Sequence, residues 1–325
     1  MSEIGVAMGQ RSGDLFGELQ ASGRIAQSFR AVLLNRDGNI VEGDPVGTQV
    51  LWRGSRSADW VKASAANLPD LAWVHSDAVG VETLPVQDLS RAGIVVTNGA
   101  GNFSRPMAEW VMLGILAAAK DVARFVRHSD EGVWEPGPQL GELDSAVVLI
   151  LGLGSVGSLV AQMAQPFGLE VRACVRQARP SAPSGVSKLI VGDAWKAELQ
   201  SADYVVITLP LTEQTRSSIG KEALGAMKPG AWIINVARGA IIDEDALIAS
   251  LDSGHLGGAV LDTFATEPLP QGHPLWGRPN VLVLPHHTWS SRRAGERAIE
   301  LFASQLDRWA RDDPLENQVD AGAGY

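Results

Sequence analysis

Short apolar runs alternate with amphipathic stretches along most of the chain. The runs at 4–8, 31–34, 49–52, 71–74 and 94–97 read as buried strands, and stretches between them such as 58–66 and 86–92 have helical spacing. Strands alternating with helices specify βαβ units around a parallel sheet. The alternation pauses at 106–126, a long and very apolar segment of helical period that predicts one buried linking helix. A second, more regular series follows, with strands predicted at 147–151, 171–175, 204–208, 232–236, 258–261 and 281–284 and helices between most of them. The fourth of these is preceded by Lys228-Pro229-Gly230, a turn signal. Near the end, 290–311 sets Ile299, Leu301, Phe302, Leu306 and Trp309 at helical spacing among charges, which predicts one amphipathic helix capped by Ser290 or Ser291. Residues 320–325 are expected to fray. The pattern predicts an α/β protein of two units, without short-period repeats or low-complexity segments.

One junction carries chemistry. The strand at 147–151 runs directly into Gly152-Leu153-Gly154-Ser155-Val156-Gly157, and 158–165 continues as a helix. In such a strand–turn–helix, Gly152 makes the tight turn, Gly154 lets a pyrophosphate approach the backbone, and Gly157 lets helix and strand pack closely. The free N–H groups and positive dipole end of the helix then face the phosphates. The arrangement predicts dinucleotide binding, the ordinary alternative being a glycine-rich turn that binds nothing. The next strand bears on which dinucleotide. A carboxylate for the ribose of NAD is expected about 20 residues on. Val175 or Arg176 fills that place here, and Arg179 follows shortly after. Without an acid to repel a 2′-phosphate, and with Arg176 and Arg179 able to pair with one, NADP(H) is the expected cofactor and NAD(H) the second choice. Otherwise the two arginines are solvated surface charges.

Length and charge narrow the picture. A chain of 325 residues suggests two domains at about 100–200 residues each, and it can bury a full core without disulfide or metal staples. Cys174 is its one cysteine, so an internal disulfide is excluded, a reducing compartment is expected and a structural zinc site is not. The net charge of -10, from 27 basic and 37 acidic residues, disfavours a nucleic-acid partner but leaves room for a locally positive pocket. Met1-Ser2-Glu3 opens no basic segment followed by an apolar run, so no signal peptide is expected. The most apolar stretch, 110–119, stops at Lys120 and is too short to span a bilayer. The expectation is a cytoplasmic protein with no membrane, nucleic-acid or metal partner.

Titratable residues sit just past three successive strands of the second series. Arg238 follows the strand at 232–236, Asp262 and then Glu267-Pro268 follow 258–261, and His286 follows Pro285 after 281–284. Each alone reads as a structural ion pair, a loop charge or a satisfied histidine. Together, beside a dinucleotide loop, they form a candidate site, because ligands of open α/β sheets bind at the carboxyl ends of strands.

Further segments fall in order around them: Ala108-Glu109, Leu209-Pro210-Leu211-Thr212 with Thr215-Arg216, Met227-Lys228-Pro229-Gly230-Ala231, Asn235-Val236-Ala237-Arg238-Gly239, Leu261-Asp262-Thr263-Phe264 with Glu267-Pro268, and Pro285-His286. With the glycine loop, they make the chain from about Leu71 to its end resemble the D-isomer-specific 2-hydroxyacid dehydrogenases. That family includes glyoxylate/hydroxypyruvate reductases, phosphoglycerate dehydrogenase and D-lactate dehydrogenase. Nothing before Leu71 matches. The resemblance implies a Rossmann-type doubly wound cofactor domain, residues 106–287, inserted in a smaller flavodoxin-like α/β substrate domain, residues 1–105 plus 288–325. It implies a substrate-binding role for Arg238, an acid partner in Glu267 and a general acid/base in His286. It implies that Val79 and Gly80, in the loop starting at Ala78, hold the substrate carboxylate through N–H groups, and that Asp262 contacts the nicotinamide carboxamide. Ser155, Val156, Leu209, Pro210, Thr215, Val236 and Ala237 join the glycines in the implied cofactor site. Two departures stand out: Ser155 occupies a place that is often basic in the family, and the acid for an NAD ribose is missing. Trp289, after His286-His287, is similar to members acting on small hydroxy acids.

The chemistry implied is reduction of a small 2-oxo acid, glyoxylate or hydroxypyruvate-like, to a D-2-hydroxy acid. It needs a hydride from NADPH, a proton from an imidazolium favoured by its carboxylate neighbour, and an arginine fork on the carboxylate and carbonyl. An NAD-dependent enzyme, a phosphonate-type substrate and a dinucleotide-sensing, corepressor-like binding protein with little turnover are the other readings. The apolar segment after Glu109 suggests a homodimer interface.

Overall fold

The computed structural model describes residues 3–26 and 28–322, which fall into two units, Met1–Asn102 with Ser291–Tyr325 and Phe103–Ser290. Sheet strands of the first unit are β1 (Ile4–Gly9), β2 (Phe29–Leu34), β3 (Ile40–Glu42), β4 (Thr48–Gly54), β5 (Trp73–Ser76) and β6 (Val95–Thr97). Those of the second are β7 (Val147–Leu151), β8 (Glu170–Val175), β9 (Lys188–Val191), β10 (Tyr204–Ile207), β11 (Trp232–Asn235), β12 (Gly258–Leu261) and β13 (Val281–Val283). The helices are α1 (Gln10–Ala21), α2 (Ala58–Ala66), α3 (Val86–Arg91), α4 (Ser104–Ala119), α5 (Val122–Glu131), α6 (Ser155–Ala164), α7 (Lys221–Ala226), α8 (Glu244–Asp252) and α9 (Ala294–Ala310). Among the described residues, no helix is long and apolar enough to cross a membrane.

The first sheet runs β3-β2-β1-β4-β5-β6, parallel throughout except for the β2–β3 pair. Counting only its parallel strands, the winding is 2-1-3-4-5, the flavodoxin-like order. Alternate side chains of each strand serve opposite layers. Val6 and Met8 of β1 pack with Phe16 of α1 and Phe302 of α9, whereas Ala7 between them packs with Trp60 and Val61 of α2. The C-terminal helix therefore completes the core of the unit that begins the chain, with Phe302 and Leu306 fully buried.

The second sheet runs β13-β12-β11-β10-β7-β8-β9 and is parallel at every pairing. This is the doubly wound Rossmann order with one strand added. Its strands β7, β12 and β13 are apolar without interruption, as strands covered on both faces are. Leu149, Leu151, Val205, Ile207 and Ile233 face a layer that contains Leu224 of α7 and Leu247 of α8. Val148, Ile150, Val206 and Ile234 face Val111 and Ile115 of α4 and Val160 of α6.

Several elements differ from expectation for identifiable reasons. The linking helix expected at 106–126 is two helices, because Asp121 adopts φ 49 and breaks the run between α4 and α5. The halves differ in environment: α4 buries eight residues, whereas α5 buries none. The strand expected at 71–74 is displaced to β5, which continues into His75 and Ser76, polar residues that are fully buried. The short strands β3 and β9 were not expected; both lie at sheet edges, where a strand needs only one partner and little apolar sequence. The helix expected from 290 begins at Ala294, and neither Ser290 nor Ser291 is its N-cap; the Ser291 hydroxyl instead accepts from the Arg293 N–H at 3.2 Å. At the C-terminus the Gly322 N–H donates to Asp320 Oδ1 at 2.8 Å. Residues 323–325 of the segment expected to fray, and Met1-Ser2 of the N-terminal segment, lie outside the described residues.

Candidate active site

Because β7 to β13 are parallel, the loops leaving them all open at one edge of the second sheet. The winding reverses between β7 and β10, which places a crevice outside their carboxyl ends. Gly152 leaves β7 with φ 99, a conformation open to glycine, and its N–H donates to the Cys174 carbonyl of β8 at 3.2 Å. Thr208, just past β10, donates its hydroxyl to the Gly152 carbonyl at 2.6 Å and so closes the junction. Gly157 in the first turn of α6 approaches that carbonyl so closely that a Cβ would lie 2.1 Å from it.

The junction fits a dinucleotide on its own geometry. A Cβ on Gly154 would meet nothing within 4 Å, leaving open space at the loop's tip. Helix α6 opens with Ser155 and Val156, with no side chain capping its first turn and no acid in it. Those N–H groups are therefore an anion site by construction. Arg176 is exposed directly after β8, and Arg179 reaches back to donate to the Leu153 carbonyl at 3.1 Å, across the glycine loop. After β10, Leu209 and Pro210 begin a loop closed by Thr215, whose Oγ1 donates to the Pro210 carbonyl at 2.7 Å and accepts from the Thr212 N–H at 2.8 Å. Val236 and Ala237 are buried just past β11.

Arg238 follows them in a turn held by a buried amide. Asn235 accepts from the Ala237 N–H at 3.0 Å and donates to the Arg238 carbonyl at 2.9 Å. The guanidinium donates to the Ala237 carbonyl at 2.7 Å. The next residue, Gly239, sits against the backbone of Phe264, where a Cβ would lie 2.0 Å from the carbonyl carbon. That contact joins the Arg238 turn to the loop after β12. In this loop the Phe264 N–H donates to Glu267 Oε1 at 3.0 Å, and Glu267 Oε2 lies 2.7 Å from His286 Nδ1. The peptide between Glu267 and Pro268 is cis.

His286 has φ 52, a left-handed conformation that costs an ordinary residue about 1–2 kcal/mol. Its neighbours hold it there. Asp262, 1% exposed, accepts from the His287 N–H at 2.7 Å, from the Thr288 N–H at 3.3 Å and from the Thr288 hydroxyl. The Trp289 indole donates to the His286 carbonyl at 2.8 Å. Asp262 thus anchors the loop that carries the histidine. With Nδ1 turned to the carboxylate, Nε2 is the ring nitrogen left to exchange a proton.

Val79 and Gly80 belong to the first unit, in the loop after β5. Its carbonyls are engaged: Ala78 accepts from the Gly99 N–H at 3.0 Å and Val79 from the Asn98 amide at 3.1 Å. Behind the loop lie His75 and Asp77. The first is fully buried, with Nδ1 2.8 Å from Thr97 Oγ1, and burial pushes its imidazole down to about 3. The second accepts from the Trp52 indole at 2.8 Å, and burial raises its carboxyl above the usual range. Burial pushes the Cys174 thiol up to about 11, which disfavours its thiolate. Among the described residues no group of three or more His, Cys, Asp or Glu could hold a metal ion.

Sequence reasoning missed Thr208 and Thr288, whose hydroxyls fasten the loops of the site, and gave Asn235 a place in a segment but no role of its own. Asn235 alone left a signal, as the one amide in the apolar run Trp232-Ile233-Ile234-Asn235-Val236.

The family model for the D-isomer specific 2-hydroxyacid dehydrogenase, NAD binding domain, matches residues 112–288. The chain is 35% identical to a glyoxylate reductase of Aeropyrum pernix over 261 residues, 77% of each chain. It is 32% identical to a glyoxylate reductase of Korarchaeum cryptofilum over 77% of this chain and 76% of that one. A D-isomer specific 2-hydroxyacid dehydrogenase of Xanthobacter autotrophicus Py2, crystallised with NADPH and MES, superposes with a TM-score of 0.84 at 32% identity over 100% of both chains. An NADPH-dependent glyoxylate/hydroxypyruvate reductase of Sinorhizobium meliloti, crystallised with NADP and sulfate, gives 0.78 at 25% identity, over 99% of this chain and 100% of that one.

Proposed function

Because the chain belongs to the D-isomer-specific 2-hydroxyacid dehydrogenases, oxidoreductases acting on CH–OH donors, we propose that it is an NADPH-preferring reductase of small 2-oxo acids of the glyoxylate or hydroxypyruvate kind. The product is the D-2-hydroxy acid. The observation that carries the reading is the 2.7 Å contact between His286 Nδ1 and Glu267 Oε2 at the sheet edge that also presents the glycine loop.

The roles follow from the chemistry. Glu267 orients the His286 ring, so that Nε2 hands a proton to the carbonyl oxygen as it gains charge. Arg238 clamps the substrate carboxylate with its planar fork and draws charge onto the reacting oxygen. In the first unit, the N–H groups of Val79 and Gly80 are suited to holding a carboxylate. Gly152, Gly154, Ser155, Val156 and Gly157 would hold the dinucleotide pyrophosphate, with Leu209, Pro210, Thr215, Val236, Ala237 and Asp262 along the rest of the cofactor. When bound there, the reduced cofactor supplies the hydride that reduces C2. The preference for NADPH rests on Arg176 and Arg179, which stand where an acid would repel the 2′-phosphate.

The reading extends to a homodimer in the cytoplasm. A second copy would cover Leu113 on α4, Val122 and Val126 on α5, and Val133 and Trp134 beyond it, all exposed and apolar.

The test is a set of initial rates with glyoxylate, hydroxypyruvate and larger 2-oxo acids, each with NADPH and with NADH. Rapid oxidation that favours NADPH supports the whole reading. Rapid oxidation that favours NADH keeps the chemistry and removes the phosphate-binding role of the arginines. Cofactor binding without oxidation on any acid overturns the reductase assignment.

A further inference from the structure

The turn that carries Glu267 is fastened by a second carboxylate–histidine pair. Glu244 opens α8, six residues after Arg238. Its Oε2 accepts from the Ala265 N–H at 3.3 Å, and its Oε1 lies 3.1 Å from His273 Nε2. Glu267 is held in the same manner, by the Phe264 N–H and by His286. Consecutive N–H groups of one turn thus hold two carboxylates, and each carboxylate holds a histidine.

The tautomer of His273 can be read from its neighbours. The Leu275 N–H donates to His273 Nδ1 at 3.4 Å, so Nδ1 is an acceptor and the ring proton sits on Nε2, facing Glu244. Both side chains are about four-fifths buried, with 19% and 22% exposed. Capping of α8 does not require Glu244, because Asp243 is the N-cap and accepts from the Ala246 N–H at 3.1 Å. What Glu244 does connect is the segment that follows Arg238 with the stretch between Glu267 and His286. Gly239 against the Phe264 backbone is the other fastening between them.

We propose that Glu244 and His273 are positioning residues that fix the 264–267 turn, and through it the orientation of the Glu267–His286 pair relative to Arg238. The proposal rests on the roles assigned to those three residues in the preceding subsection.

The test compares wild type with His273→Ala, His273→Gln and Glu244→Gln. The readouts are kcat and KM for the 2-oxo acid, NADPH Kd by fluorescence, and the ring-nitrogen resonances of His286. His273→Ala is expected to lower kcat by about 10- to 100-fold, the scale set by misplacing a reacting group by about an ångström. NADPH Kd should stay close to wild type and the His286 resonances should move. The amide of His273→Gln can donate to Glu244 and should restore most of the rate. Glu244→Gln presents one acceptor to two donors and should resemble His273→Ala, which keeps the comparison available where that variant does not fold. Loss of stability with unchanged kcat and unmoved His286 resonances overturns the proposal. A wild type with no turnover refutes the reductase reading instead, and the His286 resonances still decide the positioning role.

Discussion

At the scale of single residues, His75 makes the protein sensitive to acid. Its folded-state value is about 3 against an ordinary 6.5, so the fold holds it neutral while the unfolded chain takes up a proton. Its contribution to stability is complete above 6.5 and is lost as pH falls from there toward 3. Asp77 acts the other way at the acid end, because its raised folded value makes the folded state take up a proton first. The urea midpoint is expected to fall steadily between about pH 7 and pH 4.5. In His75→Phe that slope should be shallower, and an equal slope in both proteins refutes the assignment. His286, Glu267 and Arg238 were legible in the sequence because each follows a recognisable strand within a recognisable segment. Glu244, His273 and Thr288 were not, because what they do depends on partners brought near by the fold and not by spacing along the chain.

At the scale of elements, the β7–α6 junction separates packing from binding. Gly154 has φ -79 and open space where a Cβ would go, whereas a Cβ on Gly157 would collide with the Gly152 carbonyl at 2.1 Å. Gly154→Ala is therefore expected to keep the wild-type denaturation midpoint and bind NADPH more weakly. Gly157→Ala is expected to lose affinity and also about 1–3 kcal/mol of stability, the usual cost of overpacking. Urea denaturation paired with fluorescence titration checks both, and equal stability losses would contradict the separation. Strands buried on both faces were easy to read, since a strand covered on both sides needs a short continuous apolar run bounded by turns. The break at Asp121 was hidden because a left-handed residue between two helical segments leaves the periodicity on either side intact.

At the scale of the whole molecule, α5 stands out among the described α-helices as the one with no buried residue. Trp134 just beyond it is 91% exposed, an unusual state for a large aromatic side chain in a monomer. Sedimentation equilibrium is expected to give about twice the 34.5 kDa chain mass, and Trp134→Ser combined with Val126→Asp to shift the protein toward one copy. A wild type that sediments as a single chain at micromolar concentration refutes the dimer. From the residue pattern alone the two winding orders were legible only as alternation, since a sequence of strands and helices does not say which strands are neighbours; the doubly wound and flavodoxin-like orders came from the family resemblance. The placement of α9 has a further consequence for how the chain is made. Phe302 and Leu306 fill the core that β1, β4 and β5 begin, so this core stays open until residues 302–306 have been made. The second unit has all its strands once residue 283 has left the ribosome. During synthesis the second unit can therefore gather its sheet while β1, β4 and β5 still lack α9 and keep that apolar face uncovered.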